Sequence, residues 1–240
     1  MKKTIHRSET RGLAEHGWLK SRHTFSFANY YEPKRMNFGV LRVLNDDIVQ
    51  PGMGFGTHPH DNMEIVSIPL SGELAHKDST GTKEVIKTGD IQIMSAGTGV
   101  THSEFNNSES ELVNFLQIWV FPKKKNINPG YAQKTYKDEV SLNKILNLIS
   151  PEKGNNTLWI NQDAYFSIAN IEKEKSVKYD IHKKENGLYV FVIDGEIKID
   201  GDTLSKRDAI GLEDISNIEI NALQNSELLF IEVPMDNQNG

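Results

Sequence analysis

The chain has 240 residues, 37% of them apolar and 25% charged, and 27 basic against 33 acidic side chains leave a net charge of −6 with the histidines neutral. This composition supports a packed core and excludes a disordered, collagen-like or fibrous chain. The acidic balance gives no general attraction to nucleic acid or to a membrane surface. No cysteine is present, which removes disulfides, thiolate metal sites, iron–sulfur clusters and cysteine nucleophiles.

At about 150 residues per domain, the length corresponds to roughly 1.6 domains, so one large β-rich domain or two small ones are both admissible. Lys2-Lys3 is followed by Thr4-Ile5-His6-Arg7-Ser8-Glu9, which is no hydrophobic core for a secretion signal. Apolar stretches such as Leu188 to Ile193 fall far short of the roughly 20 residues of a membrane helix. A cytoplasmic location is expected.

In chain order, Val40 to Leu44, Ile65 to Leu70, Glu84 to Lys87, Ile91 to Met94 and Leu112 to Phe121 are apolar and rich in β-branched or aromatic residues. Asp46-Asp47, Ser71-Gly72, Ser79-Thr80-Gly81, Thr88-Gly89-Asp90 and Gly97-Thr98-Gly99 read as the turns between them. Strands at this spacing predict an all-β sandwich or barrel. Pro122 to Gly130 reads as a connector, its Lys123-Lys124-Lys125 run as a solvated loop. In Ser141 to Ile149, apolar residues at 142, 145, 146 and 149 have the spacing of one helical face, which predicts a short helix bridging two halves.

The second half repeats the style of the first. Leu188 to Ile193, Glu196 to Ile199 and Leu228 to Val233 read as strands, with Asp194-Gly195 and Asp200-Gly201 as hairpin signals. Gly72-Glu73 superposes on Gly195-Glu196, and Asp90 on Asp208, which suggests an internal repeat. Asp236 to Gly240 reads as a frayed tail.

Of the eight histidines, His58-Pro59-His60 places two imidazoles at i and i+2, on one side of an extended strand. Pro59 cannot donate a ladder hydrogen bond, so this stretch belongs at an edge or a strand entry. His102-Ser103-Glu104 repeats the spacing with an imidazole and a carboxylate. If the two segments lie side by side, four nitrogen and oxygen ligands converge. Such a set suits iron, zinc, nickel, manganese or copper. Glu64 follows His60 by four residues, about 13 Å along a straight strand. Glu104 is therefore the preferred ligand, and Glu64 is left as a supporting partner or an internal salt bridge. Trp18, Phe25 and Phe27 read as core rather than as stackers of a substrate. His6, His16 and His76 are expected to be unliganded. No Gly-x-Ser-x-Gly elbow, phosphate-binding loop or dinucleotide fingerprint appears.

Gly52-x5-His58-x-His60-x3-Glu64 resembles the first cupin motif, with its closing glycine one place late at Gly72. Gly99-x2-His102-x3-Asn106 resembles the tail of the second, with Gly97 in place of the usual proline. The segments His23-Thr24-Phe25-Ser26-Phe27-Ala28-Asn29-Tyr30-Tyr31, Gly54-Phe55-Gly56-Thr57-His58-Pro59-His60 and Met94-Ser95-Ala96-Gly97-Thr98-Gly99 resemble the pirin branch of the cupins, in the expected order and over almost the whole chain. The resemblance implies a bicupin of two tandem jelly-roll-like β-barrels, residues 1–130 binding the metal and 131–240 lacking ligands. Superposed on the second half, the four ligand positions fall on Ile181, Lys183, Ile220 and Ala222, and His182 is one place off register with a surface or structural role.

It further implies one divalent transition metal on His58, His60, His102 and Glu104. Fe(II) is the first choice, with Ni, Cu, Zn, Mn or Co as alternatives. The implied activity is that of a quercetin 2,3-dioxygenase, which opens the heterocyclic ring of a flavonol with O2 and releases carbon monoxide. Glu104 then doubles as the general base for the phenolic proton. Two other readings need the same ligands: a redox-dependent regulator that binds a partner protein, and a dioxygenase of another hydroxylated aromatic.

Overall fold

The computed structural model describes residues 1–154 and 156–236. The first half of the chain forms β1 (Lys2–His6), β2 (Gly12–Glu15), β3 (Leu19–His23), β4 (Leu41–Val49), β5 (Gly54–His60), β6 (Glu64–Ser71), β7 (Glu73–Asp78), β8 (Lys83–Lys87), β9 (Asp90–Ser95), β10 (Val100–Asn106), β11 (Val113–Val120) and β12 (Gly130–Thr135). The second half forms β13 (Ile145–Ser150), β14 (Leu158–Trp159), β15 (Tyr165–Ile171), β16 (Ser176–Asp180), β17 (Asn186–Asp194), β18 (Glu196–Ile199), β19 (Asp202–Ser205), β20 (Ala209–Glu213), β21 (Asn217–Ala222) and β22 (Ser226–Pro234). A single 3-10 turn, Ser8–Thr10, is the only helical element among the described residues.

Each half is a jelly roll of one seven-stranded and one four-stranded sheet rather than a closed barrel. The sheet orders are β12-β9-β6-β11-β4-β3-β2 with β5-β10-β7-β8, and β1-β20-β17-β22-β15-β13-β14 with β16-β21-β18-β19. The internal repeat is real in three dimensions. Gly72 and Gly195 both turn the chain with positive φ (78° and 90°) between matching strands. Asp90 and Asp208 each accept the amide three residues earlier, from Lys87 and Ser205. The halves also exchange edges: β1 pairs with β20 in the second jelly roll, while β12 closes the first against β9.

The expected helix over Ser141–Ile149 is absent. Leu142 is 60% exposed, and Ile145 onward is a strand that pairs antiparallel with β15. A β-bulge between Asn147 and Ile149 shifts the strand's parity, so its apolar spacing imitates a helical period. Asp46-Asp47 is likewise no turn; both residues lie inside β4. The end of the expected tail, 237–240, lies outside the described residues.

The two large sheets pack face to face. Leu116, Ile118 and Val120 of β11 belong to one core with Leu229, Ile231 and Val233 of β22, joined by Leu44, Val66, Phe166 and Phe191. Because both halves share this core, they are expected to unfold together. Phe166→Ala, at a position with no solvent exposure, should cost about 3–5 kcal/mol in a single denaturant transition. Two separated transitions would show that the halves are independent.

Glu64 is part of this joint. Its carboxyl, 1% exposed, accepts Ser95 Oγ at 2.7 Å and the backbone N–H of Asn161 at 3.1 Å. It has no ion pair among the described residues, so the salt-bridge alternative fails. Burial pushes its pKa up to about 7, against the lowering effect of the Ser95 and Asn161 hydrogen bonds. A carboxyl whose pKa is raised on folding contributes stability that is fully present below its unfolded pKa of about 4.3 and is lost as pH rises to about 7. Glu64's share of the stability should therefore fall across that window by roughly 3 kcal/mol and then level off, and Glu64→Gln should remove that share from the wild-type pH dependence. Thermal unfolding from pH 4.5 to 8 checks this; an identical slope in the variant would refute it.

Candidate metal centre

Along β4, β11, β6 and β3 the odd-numbered side chains face the interior of the first jelly roll, and along β10 the even-numbered ones do. Apolar clusters fill its two ends: Leu19, Val49, Leu74, Ile86, Val113 and Phe115 at one, Ile65, Met94, Ala96 and Val100 at the other. Between them lies a polar layer. His102 and Glu104 enter it from β10, and the register His102↔His58 and Val100↔His60 sets β5 beside them. Another bulge, between His102 and Glu104, breaks the pairing at the level of the site.

His102 Nε2 lies 3.0 Å from both His58 Nε2 and His60 Nε2. Gly56 O, 2.8 Å from His58 Nδ1, accepts a hydrogen bond from that ring's Nδ1–H, the tautomer whose Nε2 carries the lone pair. Burial, then the neighbouring His58, depresses His60 to about 4 and His102 to about 3, so both imidazoles are neutral at neutral pH. Three imidazoles turning Nε2 atoms toward one point are what a cation requires. Two nitrogens that would share one ion at about 2.1 Å each stand no more than about 4.2 Å apart, and both His102 spacings satisfy that.

Glu104, 2% exposed, faces the same cavity. Its Oε2 accepts Gln117 Nε2 at 2.7 Å, and Ser67 Oγ lies 3.2 Å from its Oε1. Burial pushes this carboxyl up to about 7 against those hydrogen bonds, helped by Asp47. A divalent ion would supply the counter-charge that the site lacks. The ligand atoms of His58, His60 and His102 form one group within 4.8 Å, and those of Glu104, His102 and His76 form a second. The structure thus brings the three expected histidines together, with Glu104 joined to them through His102.

His76, expected to be unliganded, is buried behind His102, with ring centroids 5.3 Å apart and Nε2 at 3.1 Å from Asp78. Glu64 does not belong to either group. His6 instead meets the Tyr189 hydroxyl at 2.7 Å, and His16 is exposed. In the second half, His182 Nδ1 bonds the fully buried Glu232 at 2.8 Å and its ring stacks on Tyr165 at 4.1 Å. Its role is structural, as expected.

The cavity before the histidines, about 210 Å³, is lined by Phe27, Asn45, Asp47, Phe55, Gln117 and Trp119 beside His58, His60 and Glu104. Trp119 stands edge-on to His60 at 4.9 Å and Phe27 to Trp119 at 5.3 Å. Phe25 is core, as expected, at 1% exposure, whereas Phe27 and Trp18 are half-buried and form cavity walls. Asn45, Gln117 and Ser67 went unnoticed in the sequence, and Asp47 was read only as part of a turn. Their one signal was polar residues at inward parity in otherwise apolar strands. Burial pushes Asp47 up to about 7, with a hydrogen bond from the Ser21 hydroxyl opposing it.

Residues 5–120 match the family model Pirin, and residues 147–233 match the model described as the quercetinase C-terminal cupin domain. A quercetin 2,3-dioxygenase of Escherichia coli K12 is 41% identical over 96% of this chain and 98% of its own length. A pirin-like protein of Caulobacter vibrioides is 37% identical over 92% of this chain and 95% of its own. The crystal structure of the bacterial pirin YhhW of Escherichia coli, in complex with nickel(II), superposes with a TM-score of 0.91 at 38% identity, covering 97% of this chain and 99% of that one. With the two jelly rolls, the trio of imidazoles and these matches in hand, the chain belongs to the pirin family of bicupins.

Proposed function

We propose that this chain is a metal-dependent dioxygenase that opens the heterocyclic ring of flavonols such as quercetin with O2 and releases carbon monoxide. The observation that carries the reading is the convergence of three imidazoles on an aromatic-walled cavity that also holds a buried carboxyl. Its likeness to a quercetin 2,3-dioxygenase over nearly the full length of both chains supports it. His58, His60, His102 and Glu104 are the proposed ligands, within a metal-binding unit of residues 1–130. Residues 131–240 supply packing, closure of the site or an oligomer contact.

Fe(II) is the proposed native ion, as the pirin resemblance implies, and the mixed imidazole and carboxylate donors accommodate it. When bound, it supplies Lewis-acid and redox chemistry. The side chains do the rest. Glu104 takes the proton of the flavonol 3-hydroxyl, and Gln117 fixes the carboxyl for that transfer through its 2.7 Å hydrogen bond. Phe27, Phe55 and Trp119 hold the flat rings and keep water from the reacting carbon. The reading goes with a cytoplasmic location, on composition; no helix among the described residues is long and apolar enough to cross a membrane.

Oxygen uptake, quercetin bleaching and carbon monoxide release, measured with metal content on one sample, test the proposal. All three are expected in proportion to bound metal. Fully Fe(II)-loaded protein that consumes no oxygen with quercetin would overturn it.

A further inference from the structure

The metal cavity does not end at Asn45. At about 210 Å³ it falls below the roughly 300–1,000 Å³ of ordinary small-molecule sites. It adjoins a second compartment of about 330 Å³, with which it shares four lining residues, Phe27, Asn45, Asp47 and Phe55. That compartment runs on to Trp18, Ser21 and His23. Its walls are aromatic: Trp18 meets Phe55 edge-on at 5.2 Å, and Phe27 meets His23 at 5.2 Å.

A polar belt joins the two compartments. Ser67 pairs with Gln117, Gln117 with Asn45, and Asn45 with His23, so four residues stand in lateral register across β6, β11, β4 and β3. Neighbouring strands lie about 4.8 Å apart, which puts His23 ~10 Å from Gln117. That is comparable to the long dimension of a flavonol. At the metal end the belt is engaged, since Gln117 and Ser67 hold Glu104. At the far end it is not. Asn45 Oδ1 and His23 Nδ1 are buried without a hydrogen-bond partner, on residues each only 3% exposed. A buried polar atom left unpaired costs about 1–3 kcal/mol, so two in one compartment call for a ligand that pairs them.

We propose that Asn45 and His23 form a recognition site for hydroxyl groups on the substrate ring remote from the metal, seated between Trp18, Phe27 and Phe55. This deepens the flavonol reading and rests on it. The chemistry selects a neutral, hydroxylated aromatic. Neither compartment is lined by a lysine or arginine, and burial keeps His23 uncharged by lowering it to about 4. A carboxylate or phosphate would find no counter-charge there. A ring hydroxyl can donate to Asn45 Oδ1, while His23 Nδ1 donates or accepts according to tautomer.

The test is anaerobic calorimetric titration of the metal-loaded full chain with quercetin and with galangin, the flavonol lacking both pendant-ring hydroxyls. Wild type should bind quercetin about tenfold more tightly. In Asn45→Leu and in His23→Phe the ratio of the two dissociation constants should fall toward one, and the ratio of kcat/KM should follow. A wild-type ratio near one overturns the inference without any substitution. So does a ratio unchanged in both variants while they keep their metal and their melting temperature. In either case the dioxygenase reading survives if quercetin is still consumed. Failure of wild type to bind either flavonol removes both.

Discussion

The double variant His58→Ala/His60→Ala is expected to fold, to lose its metal and to turn over flavonol at least about a thousandfold more slowly. Folding should survive because β5 is the edge strand of its sheet and both histidines are only partly buried, outside the apolar clusters. The loss should be large because the ion supplies several kcal/mol of charge stabilisation, and each 1.36 kcal/mol is a factor of ten in rate. His102 Nε2 lies 3.0 Å from the Nε2 atoms of both His58 and His60, so truncating that pair relieves the crowding. The metal-free variant should therefore melt no lower than metal-free wild type. Only wild type should gain stability on adding Fe(II) or Ni(II), by about 2.7 kcal/mol at a hundredfold excess over the dissociation constant. Metal content and melting curves with and without metal check this. A variant that keeps stoichiometric metal would show that other side chains hold the ion.

Much of this centre was legible beforehand because its chemistry is local in sequence. His-x-His and His-x-Glu place ligands by the period of two that every strand obeys, and no knowledge of the fold is needed to see that each pair shares a side. The rest depends on which strands become neighbours. Asn45 and Asp47 matter because β4 lies beside β11 and β3, and that register is a tertiary fact. Asp46-Asp47 looked like a turn because acidic pairs favour turns in general. In β4 the buried alternation of Val43, Asn45, Asp47 and Val49 overrides the preference. The helix expected over Ser141–Ile149 failed for a related reason: a bulge at Asn147 adds the one residue that turns a period of two into an apparent period of 3.6. His76 was expected to be unliganded because its one neighbour in sequence, Asp78, forms a local pair with it, while the pairing of β7 with β10 that brings it opposite Glu104 is a tertiary fact.

Glu104→Gln is expected to lower kcat by about 10²–10⁴ even when the metal site is saturated. The substitution keeps an acceptor for Gln117 Nε2, which bonds the carboxyl at 2.7 Å, so the cavity should keep its shape and lose only the charge and the basicity. Two roles are combined in this residue, and they separate by titration. A lost ligand weakens metal binding, and added Fe(II) then restores the rate. A lost base leaves the rate low at full occupancy. The sign of the pH dependence of metal binding follows from the same burial. The metal-free Glu104 carboxyl is pushed up to about 7, so below that pH it is protonated and an incoming ion must displace the proton. Metal affinity should therefore rise with pH up to about 7 and flatten above, with close to one proton released per ion at pH 6. Glu104→Gln should abolish that release. Calorimetry in two buffers of different ionisation enthalpy measures it. If Glu104→Gln, fully loaded with Fe(II), turns over quercetin within threefold of wild type, the base is another group. Asp47, the second buried carboxyl of the cavity, would then be the residue to replace next.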